Sequence, residues 1–270
     1  MKATLLSPGT TRWKIMRFKL SLTLFGFWAA FNVTAQNDTM YIMKSGIVVG
    51  QYAVSEIDSI VFYNPDPDTG FICGENLIIS HMAGDVAPVN KTTTYSTVSG
   101  IPGEPDKCWI ASNLGSDHQA AAKNDATEAS AGWYWQFNRK QGFKHDGSAA
   151  APSWTITWIE ENSDWQSDVD PCTLDLGAPW RIPTYSEWNN VDISGDWVNG
   201  NGAWNSELRL HAAGFIGYTD GLLYQRGSTG AYWSSMGDSS WGGLHLHFDN
   251  TVCETNFYYK AMGFNVRCIR

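Results

Sequence analysis

The stretch Cys172-Thr-Leu-Asp-Leu-Gly-Ala-Pro-Trp-Arg-Ile-Pro-Thr-Tyr-Ser-Glu-Trp188 constrains this chain more than any other. It joins a cysteine, a turn closed by Pro179 and Trp180, and the start of a helix. Thr184 suits the N-cap, because its hydroxyl can accept from an otherwise free N–H of the first turn. Glu187, three residues on, can reach back and complete a capping box. Pro183 keeps Ile182 extended before the cap, and Trp188 turns one helix face inward. The stretch predicts a short helix over Ser186–Val191, entered from a cysteine-anchored turn.

Residues 1–35 read as an export signal. Arg12, Lys14, Arg17 and Lys19 precede the apolar run Leu20–Phe31, and Val33-Thr34-Ala35 ends on a small residue at the cleavage position. Met16 is an alternative start. The run falls short of the roughly 20 residues that a membrane span needs, and no cysteine follows it to carry a lipid. Without this segment, 13 basic residues face 27 acidic ones, a net charge of −14. So acidic a chain repels phosphate backbones, which argues against nucleic acid as a partner; solubility is the plain reading of the charge.

Residues 36–64 form a small β-rich segment. Tyr41–Lys44 and Ile47–Val49 flank Ser45-Gly46 as in a hairpin. Ser55–Asp58 reads as a capped helical turn and Ile60–Tyr63 as a third strand. A piece of this size cannot hold a core alone, so it is expected to dock on the main domain or on a partner. Residues 65–70, Pro-Asp-Pro-Asp-Thr-Gly, read as a linker.

The 200 residues from 71 to 270 suffice for one core. Short apolar runs separated by Gly, Asn and Ser dominate, with few long helical patterns. Ala120–Ala129 is a candidate helix, with a loop as the alternative around Asp125–Glu128. Glu207–His211 reads as strand or helical turn, with strand favoured. Leu244–Phe248 and Phe264–Ile269 alternate as strands do.

Four of these pieces, in order, resemble a known family. They are Tyr95-Ser-Thr-Val98 with Cys108-Trp-Ile-Ala-Ser-Asn-Leu-Gly115; the Gly-x-x-Trp-Arg-Ile-Pro-Thr-x-x-Glu-Trp run ending at Trp188; Gly230-Ala-Tyr-Trp-Ser-Ser235; and Gly263-Phe-Asn-Val-Arg-Cys-Ile-Arg270. Together they resemble the Fibrobacter succinogenes major paralogous domain, a family of exported bacterial domains with a C-type-lectin-like fold. The resemblance implies an α+β, loop-rich domain over 71–270 with a small antiparallel sheet and short helices. It also implies a bridge between Cys172 and Cys268, which match the cysteines that tie the first helix to the last strand in such folds. The cysteines alone, five with one left over, allow 15 two-bridge patterns. Cys73 with Cys108 is the expectation for the other pair, leaving Cys253 free.

His245 and His247 share one strand face at the spacing of a two-point metal ligand, with His211 or Asp249 as a candidate third. The alternative places both on the polar face of an edge-facing strand. Calcium-dependent sugar sites in lectin-like domains resemble one another in Glu-Pro-Asn or Gln-Pro-Asp and Trp-Asn-Asp motifs. Here Glu104-Pro-Asp106 lies far upstream and Trp188-Asn-Asn190 inside the predicted helix, so that site is not expected; a structural calcium elsewhere is left open. The paired-cysteine copper site of the related formylglycine-generating enzymes has no recognisable counterpart. Glu160-Glu161 and Asp168 with Asp170 read as solvated loop residues.

Of the 14 tryptophans, 12 follow residue 35. Large rings can fix loops in a fold with little regular structure, and Trp109, Trp180, Trp188 and Trp233 are expected in the core. The candidate ligand residues lie in the segment that lectin-like folds vary for binding: Tyr218, Asp220, Tyr224, Arg226 and Trp241. The expectation is an exported, non-enzymatic binding or adhesion module for a glycan or a surface protein, without cofactor. The alternatives are a structural subunit of a surface assembly and a metal- or carboxylate-dependent glycan-active enzyme.

Overall fold

A computed structural model describes residues 39–44, 47–54 and 71–270. The expected signal, linker, helical turn at Ser55–Asp58 and strand at Ile60–Tyr63 lie outside the described residues. The chain divides into two units, residues 1–63 and 64–270. In the first, β1 (Thr39–Lys44) and β2 (Ile47–Ala53) pair antiparallel, with a register shift between Ile42 and Met43.

The second unit is α+β. Two small antiparallel pairs open it: β3 (Leu77–His81) with β4 (Lys91–Tyr95), and β5 (Thr97–Val98) with β6 (Trp109–Ile110). Then come α1 (Glu128–Ala131), β7 (Tyr134–Trp135), β8 (Gly142–His145) and β9 (Ala150–Ala151). Helices α2 (Pro171–Leu176), α3 (Tyr185–Ser194) and α4 (Gly200–Asn205) follow. The chain ends with β10 (Phe215–Ile216), β11 (Leu223–Tyr224), β12 (Gly230–Gly237), β13 (Gly242–Phe248), β14 (Cys253–Tyr259) and β15 (Phe264–Asn265). Seven strands form one sheet in the order β14-β13-β12-β15-β7-β8-β9, antiparallel except for the β12–β15 pair. The sheet is larger than the sequence suggested.

Successive residues of a strand face opposite ways, and this splits the core. Tyr232, Leu246 and Phe248 pack with Trp109 and Trp188 of β6 and α3. Trp233 packs with Phe137, Trp135 and Phe264 on the other side. Trp109, Trp180, Trp188 and Trp233 are all buried. The indoles also bond. Trp188 Nε1 donates to the Trp233 carbonyl (3.0 Å), and Trp233 Nε1 to the Trp135 carbonyl (2.6 Å). Such bonds satisfy the polar edge of each buried indole and tie α3, β12 and β7 together. Gly115 belongs to the same packing: at φ +79° it lies so close that a Cβ would stand 2.1 Å from the Trp133 ring.

Helix α3 forms around the anticipated capping box. The Thr184 hydroxyl accepts from Glu187 N–H (3.2 Å), and Glu187 Oε2 accepts from Thr184 N–H (2.7 Å). Arg181 then grips Glu187 with both guanidinium nitrogens, at 2.8 and 2.6 Å. The disulfides join Cys73 to Cys108 and Cys172 to Cys268, and Cys253 is free and buried.

Several readings need correction. Residues 120–127 are not helical; only Glu128–Ala131 is, capped by Thr127. Glu207–His211 forms neither strand nor helix, and α4 just before it was not anticipated. The strand expected over Phe264–Ile269 is regular only at Phe264–Asn265. Beyond it, the Ile110 N–H donates to the Cys268 carbonyl, and Ile269 exchanges bonds with Arg181, so the end of the chain is clasped from both sides. Asp170 is not solvated but buried. It caps α2 by accepting from the N–H groups of Cys172 and Thr173, and its other oxygen accepts from Ile182 N–H (2.9 Å).

Candidate functional site

Residues 152–165 follow β9 without regular structure, yet they are fixed. Glu161 N–H donates to the Ser240 carbonyl (2.6 Å), and Trp165 N–H to that of Ser235 (2.8 Å). Lys260 Nζ donates to the Glu161 carbonyl (2.6 Å), and Asn138 and Arg139 hold the Glu161 carboxylate. This lays the segment along the β12–β13 hairpin and brings Trp158 to Tyr259, ring centroids 5.6 Å apart. Trp241, in the hairpin turn, meets Tyr259 at 5.4 Å and Phe257 at 5.8 Å, and Tyr218 reaches Tyr259 at 4.9 Å. Five rings from four separate segments thus meet around Tyr259. Three of them stay open to solvent: Trp158 is 50% exposed, Phe257 46% and Trp241 36%. Contiguous exposed apolar rings on an otherwise polar surface mark interaction sites.

The structure therefore joins Trp241 and Tyr218 through Tyr259. Asp220, on the same β10–β11 loop as Tyr218, and Tyr224 of β11 form a group of their own. Tyr224 Oη donates to Asp220 (2.6 Å), which holds that carboxyl below its usual range, and the Tyr224 ring stacks on Phe215. Arg226 faces inward instead. Its guanidinium donates to Tyr134 Oη and to the His145 carbonyl (2.7 Å). Sequence reasoning missed Phe257, Tyr259 and the special place of Trp158. A signal existed in Phe257-Tyr258-Tyr259, three aromatics ending an otherwise polar strand.

His245 and His247 do lie on one strand, with rings 6.2 Å apart, but β13 is an interior strand and His245 is buried against Trp233 and Phe264. Among the described residues, no three His, Cys, Asp or Glu side chains are grouped to hold a metal ion; His211 and Asp249 do not complete a site. Glu104 and Asn190, from the two lectin-like tripeptides, do meet: Asn190 Nδ2 donates to Glu104 Oε1 (2.7 Å).

Burial lowers both His211 and His245 to about 3, and raises Asp170 to about 6 despite three N–H donors. The unfolded chain protonates its histidines near pH 6.5. Between pH 6.5 and 3 it therefore binds two protons that the native state refuses, and stability falls with acid. Asp170 opposes this between about pH 4 and 6, where the native state holds a proton that the unfolded chain has lost. Between about pH 6 and 4 these three groups together leave a net of about one proton bound by the unfolded chain, so stability slopes gently downward as the pH falls. Urea midpoints measured from pH 7 to 4 are expected to follow that slope, and His211→Gln to flatten it. A midpoint independent of pH in both proteins would contradict the burial of these rings.

Among the described residues, no helix is long and apolar enough to cross a membrane. Comparisons with protein-family models, with curated proteins and with solved structures found no match to this chain.

Proposed function

We propose that this chain is an exported, non-enzymatic binding module of C-type-lectin-like fold, and that its ligand is a glycan laid on Trp158, Trp241 and Phe257. The observation that carries this reading is the open ring cluster around Tyr259, since most other tryptophans are spent in the core. Indole and phenyl faces suit the C–H faces of sugar rings, and such rings dominate binding surfaces because they bring area at little entropic cost. The two disulfides fit an oxidising compartment. The acidic pairs favour binding over hydrolysis: Glu161 is committed to Arg139 and Asn138, and Asp170 to backbone N–H groups.

The test is a glycan array probed with the purified chain, with and without calcium. Specific binding is expected, weakened about tenfold by Trp241→Ala or Trp158→Ala, the scale of one ring lost from an interface. Silence under both conditions would sink the glycan reading. A structural subunit is the second reading, favoured by one observation. The β1–β2 hairpin has only edge strands and exposes Tyr41, Ile47, Val48 and Tyr52, the kind of surface that pairs with another chain.

A further inference from the structure

We infer that the ligand of this surface is an uncharged oligosaccharide of three or more rings, one of which sits in a cleft beside Gln136; this rests on the glycan reading above. The cleft, about 340 Å³, opens between the β7–β8 connection and the start of the irregular segment. Phe143, Pro152 and Ile156 supply its apolar wall, and Ser153 and Thr155 its exposed hydroxyls. Gln136 is fully buried. Its Nε2 donates to the carbonyls of Ile156 (2.7 Å) and Ala261 (2.8 Å), while its Oε1 has no partner. A buried amide oxygen left without a donor is uncommon in native proteins, and an O–H or N–H would supply what it lacks.

The cleft carries no spare charge. Of its two cations, Arg139 pairs with Glu161 at 3.1 Å and Lys140 pairs with Asp85. An apolar wall facing hydroxyls and an amide, with charges neutralised, matches a pyranose better than an anion or an amine. Its volume lies near the lower limit of about 300 Å³ for ligand pockets, enough for a small part of a polymer.

The cleft also adjoins the open rings. Ile156 lines it, and Trp158, two residues on, stands on the aromatic surface. Two residues span at most about 7 Å of backbone, hardly more than one sugar unit. Gln136 pins the first of these residues, and Ser240 and Lys260 pin the segment just beyond the second. Cleft and ring cluster thus form one track of fixed spacing, and a ligand bridging both gains affinity over one that fills either alone.

The experiment is calorimetric titration of the purified chain with β-1,4-glucan, β-1,4-xylan and α-mannan oligosaccharides of one to six units, and with oligogalacturonate. In at least one neutral series, affinity is expected to rise about tenfold or more from disaccharide to tetrasaccharide. Thr155→Val, at an exposed position of the cleft, is expected to remove most of that gain between disaccharide and tetrasaccharide. Trp158→Ala is expected to weaken both. Equal affinity at all lengths, or preference for oligogalacturonate, would overturn the inference while leaving glycan binding intact. Failure of every oligosaccharide to bind would overturn both.

Discussion

Arg267→Met is expected to destabilise the domain by about 3–5 kcal/mol, the scale of a buried charged group whose partners are left behind. Arg267 is fully buried, from the resemblance motif that ends the chain. Its Nη1 donates to the carbonyls of Ile110, Ala111 and Leu208, and its Nη2 to Asn113 Oδ1 at 2.9 Å. These acceptors come from β6 with its exit and from the residues after α4, so one guanidinium joins two distant stretches to the last one. Burial lowers its pKa to about 10, yet it stays protonated at neutral pH. Removing the side chain leaves several buried oxygens without that donor, each at about 1–3 kcal/mol before relaxation. Lysine carries the charge but not the fork, so Arg267→Lys is expected to recover less than half of the loss. Urea unfolding followed by tryptophan fluorescence measures both variants; a change below 1 kcal/mol in Arg267→Met would refute the bonding described.

Opening the Cys172–Cys268 bridge is expected to be about as damaging. The cysteines are 96 residues apart, and in the chain-entropy model a loop of that size contributes about 4.7 kcal/mol. The Cys73–Cys108 bridge spans 35 residues and is expected to contribute about 1 kcal/mol less. Alanine at both positions of each pair tests this without burying a hydroxyl where Cys172 and Cys268 have no exposure. Denaturant midpoints should rank the wild type first, the 73/108 variant next and the 172/268 variant last. The reverse order would show that packing, rather than loop closure, governs the effect.

Much of the fold was legible where the signals are local. The capping box of α3 depends on Thr184 and Glu187, three residues apart, and the pairing of β1 with β2 on two strand-like runs close together in sequence. The four core tryptophans could be named because they fall within the resemblance motifs. Local signals fail for β7 and β15, which are two residues long and carry no period, although both are interior strands of the main sheet. They also failed for Asp170, whose surroundings in sequence are polar. What buries it is α2 and Ile182, twelve residues on.

For the candidate site the division is sharper. The sequence by itself determined the local caps and hairpin, and it named Trp241 and Tyr218 as rings to watch. Only the tertiary structure decided that these two meet at Tyr259, that Trp158 joins them, and that Arg226 turns inward to Tyr134. The reason is physical. Capping and alternation are set by neighbours a few residues away, whereas a ring's exposure is set by whichever distant segment covers it. Here the covering is done by an irregular stretch whose course is fixed by bonds to residues about 70 to 100 positions later.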